Sequence, residues 1–587
     1  MGDGGSGRRG LVFGLLGAAA IAVVAPFSIF GQRGSYLELD FAAPLALCGT
    51  ALLAALPRRW IGASEVRRVY GLLLLASAVV TLGFTAQLVS GVAGPAYYKP
   101  EVLAQLNPAL LLGGKGAAQI RWLYEGLPVG RGVPWIAWAR VLLAWAPLVA
   151  AWWYLQLALG TRLAQQWRDR ERLSFPLAAL PLALTSEAHP LLRQGWFWAG
   201  AVLPLAGAVA ALVHSALPAF PSGQLATTAG AVSLRLSWPM LGFLYFAPQE
   251  VLSGLWSINL LAEWASHHWP VSVQANAGPF GAPTDLGRFG GGGAFLALTV
   301  AVLWRGRAAL STRTWPLGIT AAVALAWLIW SGLPVGAAAL LLGLALLLQV
   351  GLARVVAEAG VAEAVAPLTA PGLTSVLIGE RALGGRGTGA AALALVWAGD
   401  LRTSVLAATA NGLRVSGAGP RGLAAAGTLA VALGVSLVMT LALVYRAGPS
   451  RLEPWWFGPS GFGSQPWAWA LSRAGGDTGA NLGAVWLMVG GATLAGLLAA
   501  ARARWLWWPL HPLGLALGGT WIMRELWLTA LLAWVAKGLL LRYGGQRAYQ
   551  AARPWFLGLV LGQYGGAVLG VLVCALLGRT GVNLLWV

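Results

Sequence analysis

The sequence predicts an all-α, polytopic integral membrane protein with roughly 13 to 16 membrane-inserted helices, two of them broken or re-entrant. Three observations carry that reading. Apolar stretches recur along the whole of the 587-residue chain, and a bilayer core about 30 Å thick needs roughly 20 apolar residues per helix. Hydrophobic residues make up 58% of the chain and charged residues only 10%, against roughly 25% charged in soluble domains. Many of the 32 tryptophans stand at the ends of apolar runs, as in WFW at 196 to 198 and WLWW at 505 to 508, where amphipathic rings prefer the membrane interface.

Taken in order, the apolar windows predict spans near 10–30, 41–57, 69–93, 134–159, 195–215, 237–262, 290–304, 315–331, 334–353, 389–410, 420–445, 482–500, 505–519, 520–539 and 554–577. The opening MGDGGSGRRG has the basic character of a signal-peptide n-region, but the apolar run after it continues to FSIFGQR without a small-x-small cleavage site, so it reads as the first retained span. Basic side chains in short loops stay cytoplasmic. Arg8 and Arg9 therefore place the N-terminus inside an inner (plasma) membrane, and the loops with Arg58, Arg59, Arg67 and Arg68 and with Arg162, Arg168, Arg170, Arg172 and Arg193 follow by alternation.

Alternation then fails twice. The loop with Arg305, Arg307 and Arg313 comes out on the wrong side, and Arg354 conflicts with the loop carrying Arg414 and Arg421. Each mismatch contains a poor simple helix, 245–256 (YFAPQEVLSGLW) and 356–381 (VAEAGVAEAVAPLTAPGLTSVLIGER), with Pro, Gly and carboxylates inside an apolar setting. Reading both as broken or re-entrant segments buried in protein repairs the count, since a lipid-exposed break would leave backbone groups unsatisfied. The chain divides on this basis into an N-terminal membrane region, 1–355, and a C-terminal one, 356–587, with no separate soluble domain. Segments 94–133, 263–289 and 446–481 fall outside, as does Val587, and the Gly290 to Gly293 run reads as a hinge because no Lys-Ser/Thr follows it.

Composition excludes several functions. The 39 basic residues exceed the 19 acidic ones, but they sit in short loops and form no continuous basic face, which argues against nucleic-acid binding. The balance of 36 Arg to 3 Lys, with abundant Ala and Gly, reads as coding bias. Cys48 and Cys574 lie at opposite ends in apolar runs and offer neither a disulfide framework nor a zinc cluster. His189, His214, His267, His268 and His511 do not form a metal set, and no HExxH, GxSxG or Ser/His/Asp arrangement occurs. No cofactor, metal or catalytic residue is expected.

Candidate binding residues cluster in the breaks. In the first, Gln249 and Glu250 follow Pro248, which removes a helix hydrogen bond and frees carbonyls beside a costly charge. This suits a proton or cation; pairing of Glu250 with an arginine such as Arg140 or Arg402 is the alternative. In the second, Glu358 and Glu363 flank Gly360, and Thr369, Thr374 and Ser375 accompany Pro367 and Pro371. Unwound carbonyls and half-helix ends are how many transporters hold solute and coupling ion, although Glu358 also stands one turn from Arg354. Asp400 and Arg402 are neighbouring charges that each need a partner on another helix. Arg524 and Glu525 read as an interfacial pair. Glu38 and Asp40, just after the first span, are either a solvated pair or the outer acidic pair of a transferase.

The runs RWLYEGLPVGRGVPW at 121–135, RLSFPLAALPL at 172–182 and FAPQEVLSGLWSINLL, and the ending LRYGGQRAYQAARPWFLGLVLGQYGG, resemble a family of large bacterial polytopic membrane proteins of unassigned function. The resemblance covers most of the chain. In span number, paired breaks and the RVVAEAG plus proline-rich segment, the layout is similar to oligopeptide and metal-chelate transporters. That likeness implies a proton-coupled uptake fold with two related halves, but no transporter substrate residue carries over, and APG at 370–372 only partly matches an NPG-type motif.

The resulting expectation is a secondary-transporter-like protein that moves a small solute, coupled to a proton or cation, through a midplane site between the two breaks. A membrane-embedded transferase using Glu38 and Asp40, or a noncatalytic scaffold subunit of an envelope complex, are the alternatives. Expected partners are the lipid bilayer and the solute with its coupling ion, with homo-oligomerisation left open.

Overall fold

A computed structural model describes residues 3–187, 190–219, 226–229, 232–275, 277–311, 314–399, 403–419, 422–449, 451–505 and 507–585. The chain begins with α1 (Asp3–Pro26), which runs through a π turn to Gly31, and continues with α2 (Pro44–Ala55), α3 (Ala63–Ser77), α4 (Thr85–Tyr98), α5 (Ala118–Glu125) and α6 (Trp135–Gln165). Next come α7 (Ala179–Leu184), α8 (Gly195–Ala216), an antiparallel hairpin of β1 (Ala226–Ala229) and β2 (Val232–Arg235), α9 (Trp238–Leu244) and α10 (Gln249–His268). The remainder is α11 (Gly291–Arg305), α12 (Arg307–Leu310), α13 (Trp315–Ser331), α14 (Val335–Ala359), α15 (Ala370–Ala398), α16 (Val405–Ser416), α17 (Gly422–Ala447), α18 (Pro454–Phe457), α19 (Gln465–Arg473), α20 (Leu482–Arg504), α21 (Leu513–Leu517) and α22 (Trp521–Leu576).

Among the described residues, eight helices are long and apolar enough to cross a membrane, and α2 and α13 are shorter apolar helices. Helices from before and after residue 355 interleave: α22 packs on α8, α9 and α10, α1 on α17, and α16 on α3 and α6. The fold is thus nearly all helical, as expected, and the chain is a multi-pass membrane protein.

Both anticipated breaks are present. Pro248 has no N–H to continue a helix from α9, and its carbonyl instead accepts the Val251 and Leu252 N–H groups that start α10. Gly360 ends α14 in the left-handed conformation, φ 69°, and helix resumes only at Ala370.

Several spans differ from expectation. The window 69–93 is two helices, because the chain leaves α3 at Ala78 and Thr81 adopts φ 50° with its hydroxyl on the Glu38 carbonyl, 3.0 Å. Window 389–410 is divided between the end of α15 and the start of α16, whose first turn is capped by the Ser404 hydroxyl on the Ala407 N–H, 3.0 Å. Window 505–519 yields only the short α21, while 520–539 and 554–577 belong to one 56-residue helix interrupted at Gly545, φ 62°. The Gly290 to Gly293 run is no hinge. It forms the end of a π turn and the first turn of α11, where a Cβ on Gly293 would lie 1.9 Å from the Met488 carbonyl, so the glycines let α11 and α20 meet backbone to backbone.

Candidate functional site

The second break is held open by backbone from elsewhere in the chain. Phe41 N–H donates to the Ala362 carbonyl and Ala282 N–H to the Pro367 carbonyl, each at 2.8 Å. A Cβ on Gly281, which has φ 118°, would lie 2.6 Å from that same Pro367 carbonyl, so only glycine permits the approach. Thr369 then caps α15, its hydroxyl accepting from Gly372 N–H at 3.3 Å. With non-helical backbone satisfied in this way, residues 363–369 form a wall.

That wall bounds a cavity of about 600 Å³. Glu363 and Thr369 face it with Asp40 from the segment after α1, Arg235 from the end of β2, Ser237 from the turn between β2 and α9, and Gln563 and Tyr564 from α22. Aromatic rings complete it: Tyr36, Trp238, Phe280, Trp455, Trp456 and Trp521. Irregular backbone therefore occurs where it surrounds a hollow, which is the setting in which a membrane protein tolerates it.

Asp40 Oδ1 accepts from the Ala42 and Ala43 N–H groups at 2.9 and 3.1 Å, and Oδ2 accepts from the Tyr564 hydroxyl at 3.1 Å. Ala43, with φ 55°, shares this stretch with Arg33 at 52° and Glu38 at 61°, a concentration of left-handed residues of the kind that costs of order 1–3 kcal/mol each and persists at functional sites. Burial pushes the Asp40 carboxyl up to about 6, against the opposing hydrogen bonds from Tyr564, Ala43 and Ala42. Glu38 stands behind it, buried, with Oε1 on Leu45 N–H at 2.6 Å, and burial raises it to about 8. The two acidic residues thus do not face the cavity as a pair.

Arg235 Nη1 lies 3.2 Å from Glu525 Oε2, which also accepts from Ser233 at 2.9 Å. Burial lowers the Arg235 guanidinium from its ordinary value, while Glu525 and Glu363 favour its charged form. Arg524 turns away to Glu263 at 2.9 Å, so Arg524 and Glu525 do not pair with each other as expected from their adjacency.

The other expected site residues lie elsewhere. Glu250 pairs with Arg502, Nε to Oε2 at 2.7 Å, with both side chains nearly half exposed. Gln249 donates to the Trp534 carbonyl at 2.8 Å, and Lys537 donates to the Ala247 carbonyl. The first break is thereby tied to α22. Glu358 bonds Arg354 at 2.7 Å and lies 3.3 Å from His511 Nε2, and Arg354 also reaches Glu171. Thr374 is buried with its hydroxyl on the Ala370 carbonyl, and Ser375 is buried beside it. Asp400 and Arg402 lie outside the described residues.

Arg235, Ser237 and most of the aromatic lining have no marker in the sequence. Gln563 and Tyr564 do: they are the QY of the ending GLVLGQYGG. Among the described residues, no three His, Cys, Asp or Glu side chains are placed to hold a metal ion.

Fold and cavity define a polytopic helical membrane protein with a solute-sized internal hollow. The chain belongs to a family of unknown function, DUF6785, whose profile matches residues 8–315 and 308–586. No protein of curated function matches it by sequence.

Proposed function

We propose that the protein is a secondary-transporter-like membrane protein that binds a small solute in the cavity beside the second break and carries it across the bilayer, coupled to a proton or cation. The observation that carries this reading is the cavity itself: about 600 Å³, within the range of roughly 300–1,000 Å³ typical of small-molecule sites, and walled by unwound backbone together with Asp40, Glu363 and Thr369. The parts of its wall contributed by residues 36–40, 279–281 and 455–456 belong to segments that the positive-inside distribution assigns to the outer face. In this reading the two regions 1–355 and 356–587 each contribute walls, with Arg235 and Asp40 from one and Glu363 and Tyr564 from the other. The membrane is the inner (plasma) membrane of a bacterium. A transferase using Glu38 and Asp40 together is disfavoured by the burial of Glu38 behind its partner.

The test needs no knowledge of the solute. Ser237→Cys, introduced after Cys48→Ala and Cys574→Ala, is challenged with a membrane-impermeant thiol reagent in right-side-out and in inverted vesicles. A transporter exposes the cavity to each side in turn, so reaction is expected in both preparations. Reaction in one alone overturns transport.

A further inference from the structure

We propose that the loop after α6, residues 166–178, is the cytoplasmic gate of the cavity: a strap whose apolar turn closes the floor and whose charged rim latches it to α14. The proposal rests on the reading of the cavity as a transport site and deepens it. Two features of the strap lead to it, its position and its fastening.

The wall of the cavity includes Trp238 at the start of α9, Glu363 just after α14 and Gly399 shortly before α16. The strap's turn Pro176–Ala178 is buried and packs against these same three helices, α9, α14 and α16, so it stands where they converge. Pro176 occupies the space that a Cβ on Gly360 would need, at the head of the second break. Arg168, Arg170 and Arg172 assign the strap to the cytoplasmic side by the positive-inside distribution, opposite the outer segments that contribute to the wall. A loop that merely joined two helices would run over the surface, whereas Phe175 and Ala178 are each 1% exposed.

The fastening is one that water can replace. Phe175 N–H donates to the Ala357 carbonyl at 2.9 Å and the Ser174 hydroxyl to the Glu358 carbonyl at 3.1 Å; both are last-turn carbonyls of α14, beyond the reach of a helical N–H. Arg172 and Phe175 take φ 53° and 46° in this stretch, left-handed conformations that non-glycine residues hold only under constraint and that gather at switch segments. At the rim, Glu171 of the strap pairs with Arg354, Arg354 pairs with Glu358 at 2.7 Å, and His511 Nε2 lies 3.3 Å from Glu358. His511 Nδ1 accepts from Leu513 N–H at 3.2 Å, so Nε2 carries the proton and donates to Glu358. These four side chains are at most 17% exposed, and a buried pair that loses one partner leaves a costly unpaired charge. Glu171 is thus the strap's own hold on the cluster, and its loss favours the lifted strap.

The experiment uses the full-length protein carrying Cys48→Ala and Cys574→Ala, in right-side-out and inverted vesicles, with a membrane-impermeant thiol reagent. Ala178→Cys reports whether the strap has lifted, and Ser237→Cys whether the cavity is then reached. Glu171→Arg sets a like charge against Arg354. It is expected to raise the rate of both cysteines in inverted vesicles by about tenfold or more and to slow Ser237→Cys in right-side-out vesicles, because populating one state depletes the other. A faster Ala178→Cys with Ser237→Cys unchanged in inverted vesicles would show that the strap covers no route to the cavity and overturns the proposal. An unchanged Ala178→Cys overturns the latch and with it the gate. The two readings fail separately: with Glu171 in place, Ser237→Cys reacting from one face only removes transport, whereas reaction from both faces that Glu171→Arg leaves unaltered removes the gate alone. Should Glu171→Arg fail to fold, Glu171→Gln, which keeps the side chain's size and removes its charge, is expected to give about threefold in the same direction and keeps the proposal falsifiable.

Discussion

At the first break, Tyr245–Pro248, a neighbouring helix closes the gap: Lys537 of α22 occupies the Ala247 carbonyl, Gln249 reaches the Trp534 carbonyl, and Glu250 looks outward to Arg502. At the second, 360–369, the carbonyls are taken by backbone N–H groups of Phe41 and Ala282, and the side chains Glu363 and Thr369 are left facing a hollow. The same local chemistry of proline, glycine and carboxylate thus has two outcomes. What separates them is the donor that satisfies the freed carbonyl: a long side chain fills the space beside a break, while a backbone donor held at a distance by a loop leaves it open.

The largest effect is expected where the open break depends on close backbone approach. Gly281→Ala places a Cβ 2.6 Å from the Pro367 carbonyl at a φ of 118°, combining a clash with a conformation costing of order 1–3 kcal/mol. Thermal unfolding of the purified protein should show a loss of about 3 kcal/mol or more. An Ala282-to-Pro367 bond that tolerated this substitution without loss would mean that the break is not held by that contact.

Next comes the donor at the closed break. Lys537→Met leaves the Ala247 carbonyl without its donor, which should cost about 1–3 kcal/mol of stability. A variant of unchanged stability in thermal unfolding would erase the distinction between a closed and an open break.

How much of this was readable from the chain depends on whether the signal was local. Pro248, Gly360 and Pro367 mark their breaks in the sequence, and Glu363 and Thr369 follow from the second. The break at 78–84 carries neither proline nor charge; its polar groups are met by Glu38, 43 residues away, so the window reads as uninterrupted. Asp40 stood out as an acidic residue but belonged to no break, and its neighbours on the wall, Arg235, Glu363 and Tyr564, are brought there by the packing of α22 on β2 and α9 and by the Phe41-to-Ala362 hydrogen bond. Periodicity identifies helices and composition identifies the membrane, yet neither reports which loop supplies a hydrogen bond to which carbonyl.

A further test uses pH. Burial raises the Asp40 carboxyl to about 6, with the Tyr564 hydroxyl and Glu38 beside it. The folded protein therefore holds the Asp40 proton more tightly than the unfolded chain does, so the stability this proton contributes is present at low pH and is lost as pH rises through about 6. Asp40→Asn should remove this part of the pH dependence in thermal unfolding. Wild-type and variant profiles that ran parallel from about pH 4 to about pH 7 would show that Asp40 is not held in this buried setting.

The smallest effect is expected at Glu250, whose chemistry drew attention because a carboxylate after a proline in an apolar run suggests an ion site. Its side chain is 49% exposed and its partner Arg502 42%, and exposed pairs contribute about 0–1 kcal/mol. Glu250→Gln should therefore shift stability by less than about 1 kcal/mol, and the shift should shrink in high salt because exposed charges are screened. The two-sided reactivity of Ser237→Cys should persist. Loss of the two-sided reactivity alone would show that the pair with α20 gates access, and the first break would then be the moving part and the second only the seat of the solute.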